Sequence, residues 1–349
     1  MTDQKPAFPK VIRELILGAL KGVPGLGGPL TAVDTLCRGL AEIEKEERER
    51  RLKAYALGIV QDYNEGLEFR QDDLMSVMRK LAADDEAAKT EYYTRLTLGL
   101  GRTDLSVLSP DIRYHFIRMV SGLTCYQIEF ARELKILKTV PVCGTISLEE
   151  AELAHTGQDS GMAMQAVNTL QNWGLLKETS RPPREKLPTG QLYDLTQDFE
   201  RLMGLLFHPD DFQPESINLQ PKTRRDVIIV GGYRFIDNLY ATYLPDALSK
   251  AGLNADIVKS NDDHLKTAWA PLYLHTGIYD DNGTRFIKLY LTQEGKLPHP
   301  SQATNHMSCR FEERIYGQEK SKSQHDANYF RQEMDRVVDC VSRFVKPHT

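Results

Sequence analysis

Residues 160–196 read SGMAMQAVNTLQNWGLLKETSRPPREKLPTGQLYDLT. Residues 160–173 predict a helix, and Gly174 ends it, because glycine takes the left-handed conformation that follows many helix C-termini without strain. LLKETS and LYDLT then read as two short strands, and the proline-, glycine- and charge-rich stretch between them makes the pair a hairpin. QDFERLMGLLF predicts a helix directly after it.

Upstream, Pro110 and the DIRYHFIRMVSGL after it start a helix with Ile112, Phe116, Ile117 and Val120 on one side. LTCYQIEFARELKIL predicts a second helix. SLEEAELAHTG predicts a short third one, with Ser147 and Glu150 spaced as a capping box. Helices followed by such a hairpin have the order of a winged helix, a domain that often places its third helix in the DNA major groove. Here residues 160–173 hold no arginine or lysine. Gln165, Asn168, Gln171 and Asn172 offer amides for base contacts, and the hairpin loop carries Arg181, Arg184 and Lys186. Phosphate anchoring from the helix is missing, so a structural or protein-binding role is favoured over DNA reading.

Toward the N-terminus, Val11, Ile12, Leu15, Ile16, Ala19 and Leu20 predict an amphipathic helix over 9–21. GALKGVPGLGGPL at 18–30 interrupts it, and a long helix is expected from Thr31 to Tyr63. In that helix Glu44/Arg48, Glu46/Arg50, Glu47/Arg51 and Glu49/Lys53 are acid-first pairs at four-residue spacing, the mark of a solvated face. Residues 71–83 and 86–99 predict two further helices, so 1–104 reads as a helical bundle. The break at Val23, Pro24, Gly25, Leu26, Gly27 and Gly28 is either a tight bundle turn or a hinge that lets the N-terminal helix leave for a membrane or a partner. Gly25, Gly27 and Gly28 also precede a helix start, a place that favours anions. No strand comes before them and no Lys-Ser/Thr after, so no phosphate-loop pattern is met.

The order of bundle, EYYTRLTLGLGRTDLSVLSPDIRYHFIRMVSGLT and NTLQNWGLLKE…LYDLT resembles the Abi-alpha group of bacterial proteins over roughly residues 10–207. The resemblance rests on the step from Leu170 to Leu176 and on a hairpin that ends in Leu195 and Thr196. It implies a role in phage resistance by abortive infection. It carries no catalytic residues across, and the long C-terminal block departs from the group.

That block begins after HPDDFQPESINLQPKTR at 208–224, which reads as a linker. DVIIVGG is a continuous apolar run, as a strand buried on both faces requires. FIDNLYATYLPDALSKAG predicts a helix and LNADIVKS a second strand parallel to the first. Asn282-Gly283 between alternating runs is a hairpin signal. Residues 293–323 read as polar and irregular, and 325–345 as a final helix. Gly231, Gly232 and Arg234, in GGYRF after the first strand, form the candidate ligand site. They stand where an α/β sheet presents its ligands, and an arginine there suits a phosphate or carboxylate. The histidines are dispersed through loops with no paired spacing, so no metal site is expected, and no nucleophile–base signature marks a catalytic centre.

A net charge of -5 argues against a general nucleic-acid binder. Five scattered cysteines without a C-x-x-C motif fit neither a disulfide framework nor a zinc site, and the simplest setting is a reducing cytoplasm. No run of apolar residues is long enough to span a bilayer, and no secretory signal is apparent, which leaves recruitment to the inner membrane as a conditional event. The expected fold is a multidomain α+β chain: a helical bundle over 1–104, a winged-helix domain over 105–210 and a small α/β domain over 222–349. The expected function is a non-enzymatic anti-phage effector whose N-terminal helices act on a membrane surface or protein partner, while the C-terminal domain senses a ligand or partner without a cofactor. A second copy of the chain is another candidate partner. The rival expectations are an enzyme acting on a nucleotide-like substrate at Gly231, Gly232 and Arg234, and a winged-helix DNA-binding regulator using Arg181, Arg184 and Lys186.

Overall fold

The computed structural model describes residues 32–62, 67, 69–103, 108–179, 190–231, 237–259, 266–281, 284–293, 308–312 and 324–345. Among these the chain is mostly helical, with 10 α-helices and small sheets, an α+β fold. The helices are α1 (Ala32–Gln61), α2 (Gln71–Ala83), α3 (Lys89–Arg102), α4 (Pro110–Gly122), α5 (Cys125–Thr139), α6 (Leu148–Thr156), α7 (Gly161–Asn172), α8 (Gln197–Leu206), α9 (Asp237–Lys250) and α10 (Gln324–Val345). The strands are β1 (Leu176–Glu178), β2 (Tyr193–Leu195), β3 (Thr223–Arg224), β4 (Val227–Gly231), β5 (Ala255–Lys259), β6 (Ala268–Trp269), β7 (Leu272–Asp281), β8 (Thr284–Gln293) and β9 (Ser308–Glu312). The chain divides into two compact units. One comprises Met1–Lys135, Thr156–Pro182 and Gln191–Phe212, and the other Ile136–His155, Pro183–Gly190 and Gln213–Thr349.

The first unit is built on one buried cluster that runs from Leu52 of α1 to Phe207 just after α8. Its helices start and stop where local chemistry dictates. Ser109 caps α4 by accepting from the Ile112 N–H, with Pro110 as the first helical residue, which needs no donor there. Thr196 caps α8 by accepting from Phe199 N–H, while its hydroxyl donates to the Gly174 carbonyl. Gly174 itself has φ +70°. Leu175 N–H bonds to Leu170 C=O and Gly174 N–H to Gln171 C=O, closing α7 before β1 begins. β1 and β2 pair antiparallel, Leu176 opposite Leu195. The side of α7 bearing Ala163, Ala166, Val167 and Leu170 is buried, at the three- and four-residue steps of a helix face.

Helices α3 and α8 meet at Gly99. A Cβ there would lie 2.3 Å from the Leu205 carbonyl oxygen, so only glycine lets the two backbones come this close. Helix α1 crosses α3 in a similar way. A Cβ on Gly58 would lie 2.8 Å from a Thr94 methyl, and Tyr55 OH is 2.8 Å from Thr97 Oγ1. Position 55 facing 97 and position 58 facing 94 means that α1 and α3 run antiparallel.

The charged face of α1 pairs as its spacing suggests at Glu44–Arg48, 3.3 Å apart, and Arg50 turns to Glu47 at 2.6 Å. Arg51 behaves differently. It donates to the backbone carbonyl of Asp84, a contact 33 residues away that helix periodicity cannot reveal.

In the second unit the main sheet has the order β5-β4-β7-β8-β9. β4 is parallel to both β5 and β7. Val227 and Ile229 pack with Leu244 and Leu248 of α9 and Met334, Val337 and Val341 of α10. Ile228 and Val230 face the other way, with Val258, Ala268, Ala270 and Tyr273. Burial of alternate residues in different clusters is why this strand reads as an unbroken apolar run. β7 and β8 pair to Asp281 opposite Thr284, which leaves the two residues Asn282 and Gly283 as the connection. β9 adds a fifth strand where the sequence reads as irregular. Its five residues are too short a stretch for alternation to stand out, and pairing with β8 supplies the order.

The crossing at Gly99 gives the first test. Gly99→Ala is expected to destabilise the protein by about 1–3 kcal/mol, the usual cost of overpacking. Gly204→Ala, on α8 where a Cβ meets nothing within 4 Å, is expected to stabilise it by about 0.5–1 kcal/mol. Urea denaturation of both variants checks the pair.

Candidate functional site

The largest cleft among the described residues lies in the first unit, along α3. It encloses about 540 Å³. Ala54, Gly58 and Asp62 of α1 form one wall, spaced four apart on one stripe of the helix. Leu205, Leu206, Phe207, His208 and Asp211 form the other. Ala87, Ala88, Thr90, Glu91, Thr94, Arg95, Leu98 and Arg102 make the floor. Small and apolar side chains dominate its depth, and charged ones stand on the rim.

Phe207 anchors the second wall. Its ring meets Tyr92 and Phe212 edge-on, at centroid distances of 6.1 and 5.9 Å. The Arg95 and Arg132 guanidinium carbons each sit 5.5 Å from its centroid, within cation–π range. Arg95 is held from two further directions, by Glu91 at 2.6 Å and by Asp211 at 3.0 Å. Arg102 Nη1 lies 3.4 Å from His208 Nε2. The Glu91/Arg95 spacing is visible in EYYTR, but the Asp211 partner is 116 residues away and carries no sequence signal.

The antiparallel run of α1 past α3 sets the polarity of the cleft. Position 62 falls beside the start of α3, so Asp62 and Glu91 share one end. Arg102 and His208 occupy the other. Thr90 to Arg102 spans about 18 Å at roughly 1.5 Å rise per residue. Such a groove, apolar within and charged oppositely at its ends, recognises an elongated polypeptide surface better than a small molecule.

Behind the floor is a buried polar cluster. Lys89 pairs with Asp84 at 2.9 Å, both nearly sealed from solvent, and donates to the Ser121 carbonyl at 3.0 Å. Tyr93 OH donates to the same carboxylate at 2.8 Å. Every printed contact here is a structural one, consistent with an inert interior. Cys125 beside it is no nucleophile: burial, helped by the Glu86 carboxylate, pushes its thiol up to about 12. Burial also raises the Tyr93 phenol. Among the described residues no three His, Cys, Asp or Glu side chains gather as a metal site would require.

The sites expected from sequence fall differently. Gly231 ends β4, between parallel β5 and β7. Gly232 and Arg234 lie outside the described residues, as do Val23, Pro24, Gly25, Leu26, Gly27 and Gly28 of the N-terminal break, and Arg181, Arg184 and Lys186 of the hairpin loop. Of the amides on α7, Gln165, Asn168 and Asn172 are exposed, and Gln171 bonds to Glu178 at 3.4 Å. The same helix exposes Met162 and Met164, at 57% and 55%. Among the described residues no helix is long and apolar enough to cross a membrane.

With this geometry in hand, the chain was compared with known proteins. No family model, no curated protein and no solved structure matches it.

One buried titratable group lies in the second unit. His275 of β7 is 3% exposed and bonds through Nε2 to Thr292 Oγ1 at 2.9 Å. Burial lowers its pKa to about 4. The unfolded chain therefore binds one more proton than the folded chain between about pH 4 and the ordinary value of 6.5. The stabilisation is complete above pH 6.5 and is lost as pH falls toward 4, a change on the order of 3 kcal/mol. His275→Gln is expected to flatten this part of the stability–pH curve, measured by urea denaturation from pH 7 to pH 4.

Proposed function

We propose that this chain is a non-enzymatic bacterial anti-phage effector, of the abortive-infection kind that its resemblance implies, and that it works by contacting another protein through α7. In this reading α7 and the β1–β2 hairpin are the third helix and wing of a winged helix used for protein contact. The observation that carries it is the outward face of α7, where Met162 and Met164 are exposed at 57% and 55% beside the uncharged Gln165 and Asn168. Methionine is flexible and polarisable, suited to surfaces that mould to a partner. A helix that read DNA would need cations at its edges to hold phosphates, and α7 has none. The N-terminal segment, with its glycine–proline break at 23–28, supplies a conditional contact with a membrane surface or partner. The C-terminal α/β portion is the sensor.

A second reading, an enzyme for a nucleotide-like substrate, is favoured by one observation. β4 lies between two parallel strands and ends at Gly231, the position where α/β sheets hold ligands. A thermal shift with nucleotides that disappears in Arg234→Ala would select it.

The test of the main reading uses bacteria challenged with phage. Cells expressing the intact chain are expected to arrest and suppress plaques. Cells expressing Met162→Asp with Met164→Asp are expected to make as many plaques as cells without the protein, although the purified variant melts at the wild-type temperature. Full protection by that variant would exclude α7 as the contact. Salt-dependent duplex binding, lost when Arg181, Arg184 and Lys186 are neutralised, would select the DNA-binding regulator instead.

A further inference from the structure

We infer that the groove along α3 is a self-association site, in which two copies of the chain join antiparallel about a two-fold axis. The argument is independent of the α7 reading and starts from the distribution of charge. Asp62 and Glu91 mark one end of the groove, Arg102 and His208 the other. Arg95, between them, is already matched by Glu91 and Asp211. Asp62 and Arg102 carry no ion pair among the described residues.

A surface that meets its own copy across a two-fold axis must complement itself, residue i against j and j against i. A groove with like charges at both ends fails that condition. One with opposite ends meets it in a single orientation, antiparallel, which sets Arg102 of each copy against Asp62 of the other. Parallel stacking would oppose like charges and is rejected.

Shape agrees with charge. Leu57 and Val60 of α1 are exposed at 62% and 52%, the most solvent-accessible large apolar pair in the first unit apart from the methionines of α7. They adjoin the Ala54–Gly58–Asp62 stripe that walls the groove. Each copy therefore offers an apolar ridge next to a groove floored by alanine, glycine and leucine. The two-fold operation brings the ridge of one into the groove of the other, twice. Small side chains at 54 and 58 allow the close helix approach that such packing needs. The same contact covers apolar surface that an isolated chain leaves in water.

The test is charge exchange, read by sedimentation equilibrium of the full chain. The wild type is expected to dimerise with concentration. Arg102→Glu alone, and Asp62→Arg alone, each create two like-charge contacts per dimer and are expected to weaken it by about 100-fold or more. An equimolar mixture of the two single variants restores both contacts across a heterodimer, and the double variant restores them within a homodimer. Both are expected to return to near wild-type association. A wild type that stays monomeric overturns the inference, as does a dimer indifferent to the single variants or single variants that no combination rescues while circular dichroism shows them folded. Met162→Asp with Met164→Asp is expected to dimerise normally, so failure of the α7 reading and failure of this one are told apart.

Discussion

The first unit depends on how closely α3 and α8 approach each other. With no side chain at Gly99, the backbone of α3 lies against the Leu205 carbonyl. That contact determines where the chain emerges from α8, and so where Phe207, His208 and Asp211 are set. Phe207 then packs against Tyr92 and Phe212 and beneath the charge of Arg95 and Arg132. Asp211 reaches Arg95 and His208 reaches Arg102. The far wall of the groove is therefore a consequence of one missing methyl group. A larger residue at 99 would move α8 outward and dissolve the groove's rim.

The polar interior behind the groove serves a different purpose. Asp84 accepts from Lys89 and Tyr93, and its backbone carbonyl accepts from Arg51. Buried ion pairs add little net stability over apolar packing, but breaking one is costly because the remaining charge has no water. The Asp84 corner thus fixes the turn between α2 and α3 in one arrangement, and with it the antiparallel course of α1 along α3. The end-to-end polarity of the groove follows from that course.

In the second unit the constraint is simpler. β4 has parallel neighbours on both edges and apolar neighbours on both faces. Its residues have no route to solvent, so they are valine and isoleucine throughout. His275 and Thr292 are an exception on the neighbouring strands, a polar pair that survives burial by bonding to each other. The histidine remains neutral because charging it there would forfeit its hydration.

Local features were legible in the sequence. The helices from α2 to α8, the hairpin at 176–195, the apolar β4 and the Asn-Gly connection of β7 and β8 each follow from periodicity, caps or turn residues within a few positions. Glycine at 174 and the Ser109–Pro110 start can be read without a partner in space, because backbone conformation and missing donors are properties of single residues. The groove was not legible. Gly99 sits inside a helix and looks like a weak point until Leu205 is placed against it. Arg51 looks like one more surface charge until Asp84 arrives. β9 has too few residues to announce itself without β8. Sequence fixes conformation over the short range where each residue acts on its own backbone. The close approach, the charge polarity and the fifth strand depend on residues tens to more than a hundred positions apart, and only tertiary packing brings them into contact.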